Sequence, residues 1–179
     1  MLGRPKILLT PRYYLDNFRY VLDLVKRLYS PILNEAEDDF MRRFNALSVD
    51  AQCIFVRFSN RKGLFFRVNK LQYPEINDLL AAVGELLLAG FVERLSAHHE
   101  VMGRDGLSVF TKPELLTLLP LEVEDIKLIK NQKKEELVAY ALHEIDFGQI
   151  VTSLTTAETV VKIRFEAEVM MIKYLFFGN

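Results

Sequence analysis

The sequence predicts a mainly α protein with a small β component, a winged-helix-like domain followed by a helix–loop–helix module. Apolar residues recur at steps of three and four through three successive segments before residue 60. Two short apolar runs, 64–68 and 91–95, flank a helical stretch that a glycine ends. After Thr111, two further helical segments flank a lysine-bearing connector. The 179 residues, 50% hydrophobic and 26% charged, are ordinary globular composition and exclude disordered and low-complexity classes. One cysteine excludes a disulfide framework or a cysteine-based zinc cluster and suits a reducing compartment. The longest nearly apolar run, Leu79 to Val92, is too short to span a bilayer and carries Glu85. The opening MLGRPKILLTPR lacks a long apolar core and a small-residue cleavage site. An intracellular protein, cytoplasmic if bacterial, with no membrane partner is expected.

Leu15, Phe18, Leu22, Val25 and Tyr29 form one stripe of a helix that starts near Pro11 and stops at Ser30-Pro31. Asn34 caps a second helix with acids in its first turn and a buried face of Phe40, Met41, Phe44 and Leu47. Ser48 starts a third, with Ala51, Ile54, Phe55 and Phe58 inward, and Arg57 and Arg61 four apart on one face. Gly63 breaks the pattern, and Leu64 to Val68 reads as a strand. Tyr73-Pro74-Glu75-Ile76 opens a helical turn, Asp78 to Ala89 is a helix, and Gly90 stops it. Phe91 to Leu95 reads as a strand, 96–106 as a hairpin loop, and Leu107 to Phe110 as the returning strand. That order is what suggests a winged helix. Thr111 caps a helix that Pro120 ends, Leu121 to Asn131 reads as an extended connector, and Lys133 to Glu144 as a helix. Residues 149–179 read as helical, with an apolar end (Val169, Met170, Met171, Ile172, Tyr174 to Phe177) that must pack back or meet something else.

The net charge of −1 hides two basic segments. From Ala51 to Pro74 there are five bases (Arg57, Arg61, Lys62, Arg67, Lys70) and no acid. Lys127, Lys130, Lys133 and Lys134 form the second, at the connector and at a helix start whose N–H groups suit a phosphate. Such clusters meet phosphates by displacing counterions, or form a solvated face paired with the acids of residues 35–39. Between Asn77 and Ala89 no Arg, Lys or Gln could reach a base edge, so any DNA contact is to the backbone. No Glu-x-Lys triplet, phosphate-cradling glycine loop, Gly-x-Ser-x-Gly elbow or His-Glu-x-x-His motif occurs. His98-His99-Glu100 reads as a solvated hairpin tip, Cys53 as a small core residue, and His143-Glu144 as a helix-end contact.

Tyr13-Tyr14-Leu15, Val56-Arg57-Phe58-x-x-Arg61-Lys62, Lys70-Leu71-x-Tyr73-x-Glu75-Ile76 and Leu86-x-x-x-Gly90-Phe91 together resemble the N-terminal region of the Fanconi-associated nuclease family. The resemblance spans about residues 12–95 and continues more weakly over 111–145, where that family has a SAP-type DNA-binding module. Tyr174 to Asn179 resembles the start of the family's next helical region. It implies residues 1–110 as a helical plus winged-helix-like DNA-binding domain, 111–147 as a SAP-like module, and 148–179 as a helical segment opening a missing region. It also implies backbone contacts from Tyr14, Arg57, Arg61 and Lys62, on flapped or branched duplex. The family's catalytic part, a metal-dependent phosphodiesterase of the virus-type replication–repair class, lies C-terminal and implies Mg or Mn there. This chain departs from the family in lacking that part, so no cofactor and no catalytic residue are expected here, and an excised fragment or truncated product is. The implied partners are DNA and the absent nuclease region. The alternative is a protein–protein or homo-oligomer module using the apolar C-terminal helix.

Overall fold

The structure is a computed structural model and describes residues 10–178. Residues 1–9, on which the leader-free reading of the N-terminus partly rests, lie outside the described residues, as does Asn179. The fold is mainly helical with one small sheet, as expected. The described residues form two compact units, one from 10–60, 73–89 and 165–178, the other from 61–72 and 90–164. These interleave, and so differ from the three consecutive domains expected.

The first unit is all helix: α1 (Tyr13–Tyr29), α2 (Glu35–Ala46), α3 (Val49–Ser59), α4 (Leu79–Leu88) and α10 (Glu166–Phe177). The α1 stripe Leu15, Phe18, Leu22 and Val25 is buried, as the spacing requires. Asn34 closes a capping box on α2: its Oδ1 accepts from the Ala36 N–H at 2.7 Å, and Glu37 Oε2 accepts from the Asn34 N–H at 2.8 Å. Phe40, Phe44 and Phe55 meet with ring centroids 5.7–6.0 Å apart and fully buried. Gln52 ties the helices together. Its Nε2 donates to the carbonyls of Phe44 and Leu47, both at 3.0 Å, and its Oε1 accepts from Arg19 at 2.7 and 2.9 Å. Phe165, just before α10, has φ 64°, a left-handed conformation disfavoured for a side chain of this size. Its ring lies 5.4 Å from Phe40 and under the Arg43 guanidinium at 5.0 Å. Only part of the apolar C-terminal helix is covered: Val169 and Ile172 are buried, whereas Met170, Met171, Tyr174 and Phe177 are exposed.

The second unit contains β1 (Phe65–Arg67), β2 (Val92–Arg94), β3 (Val160–Ile163), α5 (Gly103–Ser108), α6 (Lys112–Leu118), α7 (Val123–Ile129), α8 (Lys134–Glu144) and α9 (Phe147–Ala157). The sheet order is β1-β3-β2, all antiparallel, with Phe66 opposite Val161 and Glu93 opposite Lys162. Its core is Phe65, Leu107, Phe110, Leu115, Leu137, Ala141, Ile150, Leu154 and Val160.

Three expectations fail here. Residues 96–110 make no hairpin: a 3₁₀ segment (Ala97–Met102) and α5 occupy them, and β3 takes the sheet position assigned to Leu107–Phe110. Two glycines of this stretch allow close contact. A Cβ on Gly103 would lie 2.9 Å from Leu142 and Phe147 side-chain atoms, and one on Gly106 would lie 3.3 Å from Leu95. Most of the extended connector is α7, at whose start the Glu122 backbone N–H donates to Asp125 Oδ2 at 3.2 Å. The uninterrupted helical reading of 149–179 misses β3, whose Val160, Val161 and Ile163 are buried.

Candidate nucleic-acid interface

In the first unit the pivot is Glu75, in the Tyr73–Ile76 turn, with its side chain only 4% exposed. Tyr14 Oη donates to Glu75 Oε1 at 2.6 Å, and Arg57 donates to the same oxygen from Nε at 2.8 Å and from Nη2 at 2.5 Å. The Arg57 guanidinium carbon lies 4.4 Å from the Tyr14 ring centroid and 4.7 Å from that of Tyr73. Arg12 donates to the Glu75 carbonyl from Nη2 at 2.7 Å and to Asp50 at 2.8 Å. Burial pushes the Glu75 carboxyl up, but the hydrogen bonds from Tyr14 and Arg57 outweigh it and hold it below the usual carboxylate range. Burial, then the bond to Glu75, pushes the Tyr14 phenol well above its ordinary value. Tyr14 and Arg57 are therefore both tied to one buried anion, which the sequence reading did not foresee.

Arg61 does not share a helix face with Arg57. Asn60 ends α3, and Arg61 belongs to the second unit. There Arg61, Lys62, Arg67 and Lys70 line an open cleft of about 290 Å³, with Phe66 and Leu71 beside them. Arg67 forms its floor. It is buried, donates to Glu114 from Nη1 at 2.6 Å and Nη2 at 2.8 Å, and to Glu158 from Nε at 2.5 Å, with the Phe110 ring 4.5 Å from its guanidinium carbon. The Arg67 bonds, then those from the Thr111 N–H and hydroxyl, hold the Glu114 carboxyl far below its usual range. So Arg67 is a structural cation. Lys70 is exposed, with Nζ 3.9 Å from Glu114, and Lys62 is exposed with no ion pair among the described residues.

The second lysine group is split. Lys134 Nζ donates to the Ser108 carbonyl at 2.6 Å, and Lys127 lies 3.4 Å from Glu124. Lys130 and Lys133 are exposed and make no ion pair among the described residues. The expected phosphate site at the start of α8 is pre-empted. Glu135 and Glu136 occupy its first turn, and Glu136 Oε2 accepts from the Lys133 N–H at 2.9 Å.

His99 is not at a solvated tip. It is buried, with Nε2 3.1 Å from Glu93 and Nδ1 accepting from the Ser96 N–H at 3.1 Å. Cys53 is buried and His143 Nδ1 lies 2.7 Å from Glu144. Among the described residues no three His, Cys, Asp or Glu are grouped to hold a metal ion, and no helix is long and apolar enough to cross a membrane.

Comparison with known proteins agrees with the motifs. Residues 12–93 match the family model described as FAN1, HTH domain. Over that stretch the chain is similar to the helix-turn-helix domain of the Fanconi-associated nuclease family. A Fanconi-associated nuclease 1 homolog of Pseudomonas aeruginosa is 43% identical over 83 residues, covering 46% of this chain and 15% of that protein. The Oryza sativa homolog is 31% identical over 132 residues, 74% of this chain and 13% of its own length. The chain thus spans about one seventh of the length of these Fanconi-associated nuclease relatives. The crystal structure of paFAN1 bound to 2nt 5'flap DNA with gap matches with a TM-score of 0.75 and 29% identity, over 96% of this chain and 31% of that one.

Proposed function

We propose that the chain is the non-catalytic, sequence-independent DNA-binding region of a structure-specific repair nuclease, holding the backbone of flapped or branched duplex while another region cuts. Its setting is inside the cell, and residues 111–147 act as a SAP-like module. The observation that carries this reading is the cleft lined by Arg61, Lys62 and Lys70, with Arg67 neutralised beneath it. Exposed cations on a rigid frame meet phosphates without naming bases, and the structural relative carries flapped DNA. Lys130 and Lys133 add a second cationic point, whereas Arg67 and Lys134 are committed elsewhere. The double variant Lys62→Glu, Lys70→Glu should weaken binding to all sequences alike and flatten the slope of log K against log salt by about 2. Titration of a labelled 5'-flapped duplex across salt concentrations measures both, and an unchanged slope or a loss confined to particular sequences refutes the cleft.

A second reading, contact with another polypeptide, is favoured by one observation. Ala167, Met170, Met171, Tyr174 and Phe177 line an open apolar groove on α10. Light scattering against concentration should show self-association that Met170→Glu with Phe177→Glu abolishes; a monomer at all concentrations removes the homo-oligomer.

A further inference from the structure

We infer that Glu75 is a positioning residue for DNA contact, acting through Arg57. This rests on the DNA-binding reading above and names a residue that reading does not include. Arg57 is one-third exposed, and two of its three guanidinium nitrogens, Nε and Nη2, are spent on Glu75 Oε1. Nη1 makes no hydrogen bond among the described residues and remains for a phosphate oxygen. An exposed arginine ordinarily loses rotamer freedom when it grips a phosphate. Here that freedom is already gone. The fork is fixed by Glu75 and stacked between the rings of Tyr14 and Tyr73. Glu75 is itself fixed, its carboxylate by Tyr14 and its carbonyl by Arg12, and at 4% exposure its charge is withdrawn from any ligand. The Tyr14 hydroxyl proton is committed to Glu75, so Tyr14 contributes its ring as a wall and not a donor to phosphate.

Charge and position make opposite forecasts for Glu75→Gln. Removing an acid beside a polyanion's contact strengthens binding if only charge counts. If Glu75 orients Arg57, the same change weakens binding by about ten-fold, the worth of one charge-assisted hydrogen bond, and flattens the salt slope by about 1. The experiment titrates a labelled 5'-flapped duplex with the full chain, with Glu75→Gln and Arg57→Ala singly and together, thermal melting confirming each fold. Support is a ten-fold loss in each single variant and no further loss in the pair. Tighter or unchanged binding by Glu75→Gln, or losses that add, overturns the inference while the DNA reading stands. A wild-type chain that binds no duplex sinks that reading itself. Should Glu75→Gln not fold, Arg57→Lys gives the same decision, because it keeps the charge but not the fork. A ten-fold loss supports positioning, and wild-type affinity overturns it.

Discussion

Replacing Arg67 with methionine should destabilise the chain by about 3 kcal/mol, read as a fall in the midpoint of urea unfolding at neutral pH. Arg67 is buried and its guanidinium bridges Glu114 and Glu158, so methionine fills the stem's volume but leaves two carboxylates facing each other. The cost comes from those orphaned charges. Adding Glu114→Gln and Glu158→Gln to the variant should therefore restore much of the loss, since apolar and neutral replacements of a whole ionic cluster are often tolerated. Acid gives an independent readout. The Glu114 carboxyl is depressed in the folded state, so the unfolded chain takes up its proton first as the pH falls. Its contribution is complete above the ordinary carboxylate value near 4.3 and is lost as the pH drops toward the depressed one. The stability gap between the natural chain and Arg67→Met should narrow through that window. A gap that stays constant would mean the ion pairs are not its source.

Replacing Gln52 with alanine should cost about 3 kcal/mol, measured the same way. One side chain satisfies two carbonyls at the end of α2 and holds Arg19 through its oxygen, all at 3.0 Å or less. Leucine at this position separates volume from hydrogen bonding. If the lost contacts are polar, Gln52→Leu stays nearly as unstable as the alanine variant; recovery to the natural midpoint would assign the effect to packing alone.

What the sequence made legible follows from what is local. The α1 stripe, the Asn34 cap, the Asp78 start and the Gly90 stop each depend on residues within a few positions, and each is found. β3 was hidden because a short, fully buried strand has no alternating pattern and resembles a piece of buried helix. The hairpin expected over 96–110 fails because Gly103 and Gly106 allow close packing against Leu142, Phe147 and Leu95 rather than a turn. The cations were readable, their partners were not. Glu75 lies 18 positions from Arg57, and Glu114 and Glu158 lie 47 and 91 from Arg67. Folding alone brings such pairs together, and it divides the basic residues into those that hold the protein and those that can hold something else.

The alternating path of the chain between its units limits how it can be cut down. A peptide trimmed to residues 12–93, the stretch that carries the helix-turn-helix signature, would retain β1 and most of β2 yet discard the strand that separates and joins them. It would also shed Val169 and Ile172, which are buried in the helical unit. The recognisable signature is thus shorter than the smallest autonomous piece, and miniaturisation must keep everything through α10.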